Sequence, residues 1–86
     1  MKIARTGNFK TAWSRLEERD KKSVRKAIEN LIANMNYPSL RVKKIKGTNN
    51  IWEARASRTL RITFHVDSDI IILRNVGHHD ETLKQP

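Results

Sequence analysis

Within residues 58–66 the pattern alternates without a break from Leu60 onward. Leu60, Ile62, Phe64 and Val66 hold the even positions, and Arg61, Thr63 and His65 the odd ones. A period of two is the strand period, so the apolar side chains point one way and the polar set the other. Asp67-Ser68-Asp69 supplies turn residues, and residues 70–76 form the most apolar stretch of the chain. Two strands joined by so short a turn make an antiparallel hairpin. One face of it must be buried, and the rest of the chain has to cover that face.

The cover lies upstream. Phe9, Ala12, Trp13 and Leu16 recur at helical spacing, with Asn8 as the expected N-cap. Asp20 is the expected cap of a second helix. Its apolar stripe is Val24, Ala27, Ile28, Leu31, Ile32 and Met35, and its other face carries Lys21, Lys22, Arg25, Lys26 and Glu29. The short link over residues 17–20 folds the two into a helical hairpin. Asn36-Tyr37-Pro38-Ser39 ends the second helix, because proline disfavours helical geometry in the residue before it. Residues 40–46 read as a basic link anchored by Val42 and Ile45, residues 47–50 as a turn and residues 51–56 as a strand. Residues 2–6 carry only a weak strand signal. Trp13 and Trp52 fall on the core side of their elements. The expected fold class is α+β, an N-terminal helical hairpin packed on a small antiparallel meander sheet, with residues 70–76 as its central strand. At 86 residues the chain is expected to form one domain, 1–86.

The charge is strongly positive and unevenly spread. The chain has 18 Lys+Arg against 9 Asp+Glu, a formal net charge of +9. Residues 37–66 hold seven basic side chains and one acidic one, so positive density peaks where the sheet begins. Such a footprint suits a nucleic acid, an acidic protein, or both. There are no cysteines, which excludes disulfides and zinc–thiolate sites. No apolar run approaches the roughly 18 residues of a membrane span, and the first residues lack the apolar core of a secretion signal. A cytoplasmic location is expected, with no membrane partner.

With these elements in place, a family resemblance becomes visible. The ordered set is the helical hairpin, Leu40-Arg41-Val42-Lys43-Lys44-Ile45-Lys46-Gly47, Ile51-Trp52-Glu53-Ala54-Arg55, Leu60-Arg61-Ile62-Thr63-Phe64, and Val76-Gly77-His78-His79-Asp80-Glu81. In that order, and over nearly the whole chain, it resembles the RelE/ParE superfamily of toxins from toxin–antitoxin pairs. The resemblance implies a small sheet packed on two helices, a cognate antitoxin presenting an acidic or amphipathic segment, and one of two activities. RelE-like members cleave mRNA in the ribosomal A site, so ribosome and mRNA are the implied partners. ParE-like members inhibit DNA gyrase.

On the RelE-like side the resemblance assigns a contact with the scissile phosphate to Arg55, stabilisation of the charged transition state to Arg61, and general acid or base work to His79. It is nearer the histidine-using branch that includes YafQ. It implies no cofactor and no metal. The chain departs from the pattern at Glu53, where RelE has a basic residue, and at Thr82-Leu83-Lys84-Gln85, where active relatives commonly carry an aromatic. An inactive, basic nucleic-acid-binding relative therefore stands beside the two active readings.

The residue chemistry agrees with those assignments and also offers plainer roles. Arginine is a permanent phosphate clamp, and histidine exchanges protons near neutral pH. Arg55 can instead pair with Glu53, two residues away on the same strand face. His65 suits a local hydrogen bond, and the adjacent His78 and His79 cannot both face one site. Arg41, Lys43, Lys44 and Lys46, with Arg58 and His78, are the expected contacts to nucleic acid. Lys21, Lys22, Arg25 and Lys26 form a second basic surface. Adjacent histidines converge poorly on one ion, so no metal site is expected.

Overall fold

The computed structural model describes residues 2–86. Among them the elements run β1 (Lys2–Arg5), α1 (Gly7–Ser14), α2 (Glu18–Ala33), a 3₁₀ turn (Pro38–Leu40), β2 (Lys43–Lys44), β3 (Trp52–Arg55), β4 (Leu60–Asp67), β5 (Ile70–His78) and α3 (His79–Lys84). The sheet order is β1-β5-β4-β3-β2. Strands β3 to β5 form the expected antiparallel meander, and β2, within the stretch read as a link, adds a short antiparallel strand at its edge. The weakly signalled first strand does form, and it pairs parallel with β5 at the far edge, so the sheet is mixed. Strand β5 is flanked on both sides, although β4 occupies the middle of the sheet.

The even positions of β4 face the helices as their alternation requires. Leu60, Ile62, Phe64, Ala54, Ile71, Leu73 and Val76 are buried against Phe9 of α1, Val24, Ala27 and Leu31 of α2, and Leu40 of the 3₁₀ turn. Trp13 and Trp52 pack partly buried on the same core, on the side expected of them. Ile32, by contrast, is 40% exposed. At 100° per residue it falls off the stripe centred on Val24, Ala27 and Leu31. Met35 packs on the core from beyond the helix end.

Both helix caps differ from the sequence reading. Thr6, not Asn8, starts α1: its Oγ1 accepts from the Phe9 amide at 3.1 Å and donates to the Arg74 carbonyl at 3.0 Å. Asn8 lies inside the helix, and its amide also donates to the Arg74 carbonyl. Helix α2 begins after Glu17, so Asp20 sits in its first turn, where a carboxylate favours the helix dipole. Because Thr6 ties both a helix end and strand β5, Thr6→Ala is expected to cost about 1 kcal/mol. In a thermal melt that corresponds to a Tm lower by about 4–8 °C. An unchanged Tm would show the cap to be dispensable.

The second sheet face is not fully open. Helix α3 and the residues after it lie across β4 and β5. Thr63 Oγ1 donates to the Pro86 carbonyl at 3.0 Å, Asn75 Nδ2 to the Gln85 carbonyl at 3.0 Å, and Arg74 Nε to the Pro86 carbonyl at 3.1 Å. Thr63, expected on an open face with Arg61 and His65, is therefore completely buried. A register shift between Thr63 and Phe64 leaves Arg74 without a partner in the ladder. Its guanidinium meets His65 Nδ1 at 3.0 Å, the local hydrogen bond expected of that histidine.

Helix α3 can sit so close because residue 77 is glycine. A Cβ there would lie 2.8 Å from Thr82 Oγ1, and φ is +157°. Thr82 is itself buried and β-branched, so it cannot swing aside. Gly77→Ala is expected to push α3 off the sheet, at a cost of about 1–3 kcal/mol. Limited proteolysis would report it as faster cleavage near the C-terminal helix.

Candidate nucleic-acid interface

Arg55 on β3 and Arg61 on β4 stand directly opposite each other in the ladder. Alternation sends both to the face away from the helices. Cross-strand partners hold their Cβ atoms about 4.5–5.5 Å apart, so two guanidinium groups are forced into one neighbourhood. Both are fastened to the β3–β4 loop. Arg55 Nε donates to the Ser57 carbonyl at 3.3 Å, and Arg61 Nη1 donates to the carbonyls of Ser57 at 3.0 Å, Arg58 at 3.3 Å and Leu60 at 3.0 Å. The loop is closed beneath them, because the Ala56 amide donates to the Leu60 carbonyl and the Leu60 amide to Ser57 Oγ.

The electrostatics follow from that crowding. Burial pushes the Arg61 guanidinium below its ordinary value, Arg55 pushes it further, Glu53 partly opposes them, and Arg41 adds to the lowering. The group still carries its charge at neutral pH. Cations held this close repel one another, and an anion seated among them relieves the repulsion. Arg41 reaches the cluster from the end of the 3₁₀ turn, where its backbone is left-handed at φ +46°.

Glu53 is buried on the same face, but it does not pair with Arg55. Its Oε1 lies 3.7 Å from Lys43 Nζ, across the β2–β3 ladder. The Lys43 side chain is 71% exposed, so the pair is worth about 0–1 kcal/mol. Lys43 and Lys44 form a two-residue strand rather than part of a loop, so they point to opposite faces. Lys43 registers with Glu53 and Lys44 with Trp52 on the core side. The basic run from Arg41 to Lys46 is thus divided, with Lys46 exposed in the turn that follows.

The two histidines also part. His78 registers with Leu60, whose side chain faces the helices, and lines a groove of about 350 Å³ with Asn8, Arg15 and Glu81. His79 opens α3. Its backbone amide donates to the Thr59 carbonyl at 2.8 Å, which places it at the β3–β4 loop, and its ring Nδ1 lies 3.2 Å from Asp80 Oδ1. Among the described residues no group of three His, Asp or Glu side chains is placed to hold a metal ion.

A cleft of about 530 Å³ adjoins the arginine pair between α2, the 3₁₀ turn and the β3–β4 loop. It gathers Lys26, Asn30, Tyr37, Arg41, Arg55 and Arg58. Tyr37 read in sequence only as part of a helix stop. No local pattern marks it, because it joins the arginines only through the tertiary fold. On the other side of α2, Lys21 and Arg25 lie 5.9 and 5.2 Å from the centre of the Trp13 ring, so those two cations are engaged with the helical hairpin. Among the described residues no helix is long and apolar enough to cross a membrane.

The sequence matches no family model and no curated protein. Solved structures do match over nearly the full length. A RelB–RelE antitoxin–toxin complex from Methanococcus jannaschii is 28% identical, with a TM-score of 0.73 over 91% of this chain and 92% of that one. A YoeB/ParE toxin from Agrobacterium tumefaciens has a TM-score of 0.77 at 18% identity, covering 92% and 99%. YafQ from E. coli has a TM-score of 0.73 at 12% identity, covering 92% and 93%. The structural neighbours are thus RelE-, YafQ- and YoeB/ParE-type toxins of toxin–antitoxin systems. The resemblance read from the sequence holds, and the α+β fold is the one these toxins share.

Proposed function

We propose, from the premise that this chain has the fold of the RelE/ParE toxins, that it is the toxin of a toxin–antitoxin pair and cleaves mRNA on the ribosome. The observation that carries this reading is the register of Arg55 against Arg61, two loop-anchored guanidinium groups with Arg41 beside them. Internal cleavage of RNA needs the 2′-hydroxyl deprotonated, the phosphorane charge stabilised and the leaving oxygen protonated. The 2′-oxygen forms a bond to phosphorus, the bond to the leaving oxygen breaks, and one proton is taken up as another is given. Arg55 and Arg61 hold the phosphate and meet its extra charge, and His79 exchanges a proton. The scheme draws on side chains alone. The ribosome supplies an oriented strand, which a site this sparse requires.

The partner on this reading is an acidic or amphipathic antitoxin segment. It would associate quickly with so basic a chain, and less so as salt rises. His79→Ala separates this reading from gyrase inhibition, which the absence of an aromatic in α3 and the residues after it would suit. For a nuclease the variant is expected to lose about 10²- to 10⁴-fold in cleavage of ribosome-bound mRNA, with growth arrest abolished. Growth arrest that persists in full with His79→Ala speaks for a binding toxin.

A further inference from the structure

We propose that the cleft between α2 and the β3–β4 loop is a nucleotide subsite, in which Tyr37 stacks on one unpaired base of an RNA strand while Arg41 and Arg58 hold the neighbouring phosphates. This deepens the nuclease reading by naming what positions the strand, and it rests on that reading only for the claim that the strand is then cut.

Three observations carry it. First, the cleft of about 530 Å³ is lined by Lys26, Arg41, Arg55 and Arg58 and by no carboxylate among the described residues. An unbalanced set of cations around a concave surface concentrates polyanions. Second, Tyr37 is 43% exposed and, with Ile32, is one of the two large apolar side chains left exposed among the described residues. Ile32 lines no part of this cleft, whereas Tyr37 lies in it beside the cations. An aromatic face next to phosphate-binding arginines is the arrangement that holds single strands, because every base can stack. An acidic peptide would use the cations and have no need of the ring. Asn30 adds a side-chain amide that can both donate to and accept from a base edge.

Third, the backbone that carries the ring is held in place before any ligand arrives. The Tyr37 amide donates to the Asn34 carbonyl at 3.0 Å, and the Tyr37 carbonyl accepts from the Leu40 amide at 3.0 Å. Pro38 narrows the backbone of Tyr37 further. The same turn ends on Arg41, whose left-handed backbone is one that glycine or asparagine adopts at lower cost. An arginine kept at such a position fits a demand for its side chain there. A site ordered in advance loses less entropy on binding.

Fluorescence anisotropy of labelled hexaadenylate RNA on the full chain, repeated over a range of salt, tests this. Tyr37→Ala and Tyr37→Leu are expected to weaken binding by about 5- to 150-fold, with the salt slope unchanged. Tyr37→Phe keeps the stacking face and should stay within about twofold of the parent. Arg41→Ala should lower the salt slope by about 0.7, the share of one phosphate on a single strand. A thermal melt of each variant shows that it is folded. The subsite is overturned if the parent chain does not bind the RNA. It is also overturned if Tyr37→Leu binds as the parent does, if Tyr37→Phe falls as far as Tyr37→Ala, or if polyglutamate binds with the same dependence on Tyr37. Tyr37-dependent binding by a chain that cuts no mRNA upholds the subsite and removes the nuclease. Cleavage of mRNA with unchanged site choice in Tyr37→Leu does the reverse.

Discussion

Arg61→Ala is expected to slow cleavage of ribosome-bound mRNA by about 10²- to 10³-fold, the usual loss when one preorganised donor to a charged transition state is removed. Its effect on folding should be small. The variant gives up hydrogen bonds to the carbonyls of Ser57, Arg58 and Leu60, but it also removes a cation that burial and Arg55 hold in an unfavourable charged form. The two contributions have opposite signs. Arg61→Lys sharpens the test: it restores the charge but not the planar fork that meets two phosphate oxygens at once. Activity well below the parent in Arg61→Lys, with an unchanged Tm, assigns the guanidinium geometry to the reaction. Equal loss of activity and of Tm in both variants would instead make Arg61 a support for the loop.

The largest effect on stability is expected at Phe64. Its ring is fully buried in the middle strand, opposite Leu73 and under the helices. Phe64→Ala should cost about 3–5 kcal/mol, through lost transfer free energy and the cavity left behind. Domains of this size are stable by about 5–15 kcal/mol, so the variant should be marginal at physiological temperature. Urea denaturation should show a much lower midpoint with the slope unchanged. A shift of under about 1 kcal/mol would mean that the core repacks around the gap, which close-packed interiors seldom allow.

What could be read from sequence was set by how local the cause is. The hairpin of β4 and β5 was legible because period-two patterning and a short turn lie within about twenty residues of each other. The Val24–Ala27–Leu31 stripe was legible for the same reason, and so was the shared face of Arg55 and Arg61, which needs only alternation on two adjoining strands. The caps were not. Thr6 wins the first helix because its hydroxyl also reaches Arg74, 68 residues away. Strand β1 has one half-buried isoleucine, and its pairing with β5 is a tertiary event. Helix α3 was invisible because its buried contact is a threonine on a glycine rather than an apolar stripe.

The candidate site divides along the same line. The split of Lys43 from Lys44 depends on a two-residue strand that no local signal marks, and the split of His78 from His79 on where β5 ends and α3 begins. Tyr37 enters the cleft because the 3₁₀ turn folds back toward the β3–β4 loop. A reading that treats residues 36–39 as punctuation misses it. Glu53 pairs across strands with Lys43 rather than along its own strand with Arg55, a choice fixed by the ladder of β2 on β3.

A primer-extension map of a translated mRNA, made after a pulse of this chain and in parallel with Arg61→Ala, tests ribosome-dependent cleavage most directly. New breaks within the coding region, present with the parent and lost with Arg61→Ala, are the expected result. Growth arrest with an unchanged map would contradict it and move the target to gyrase.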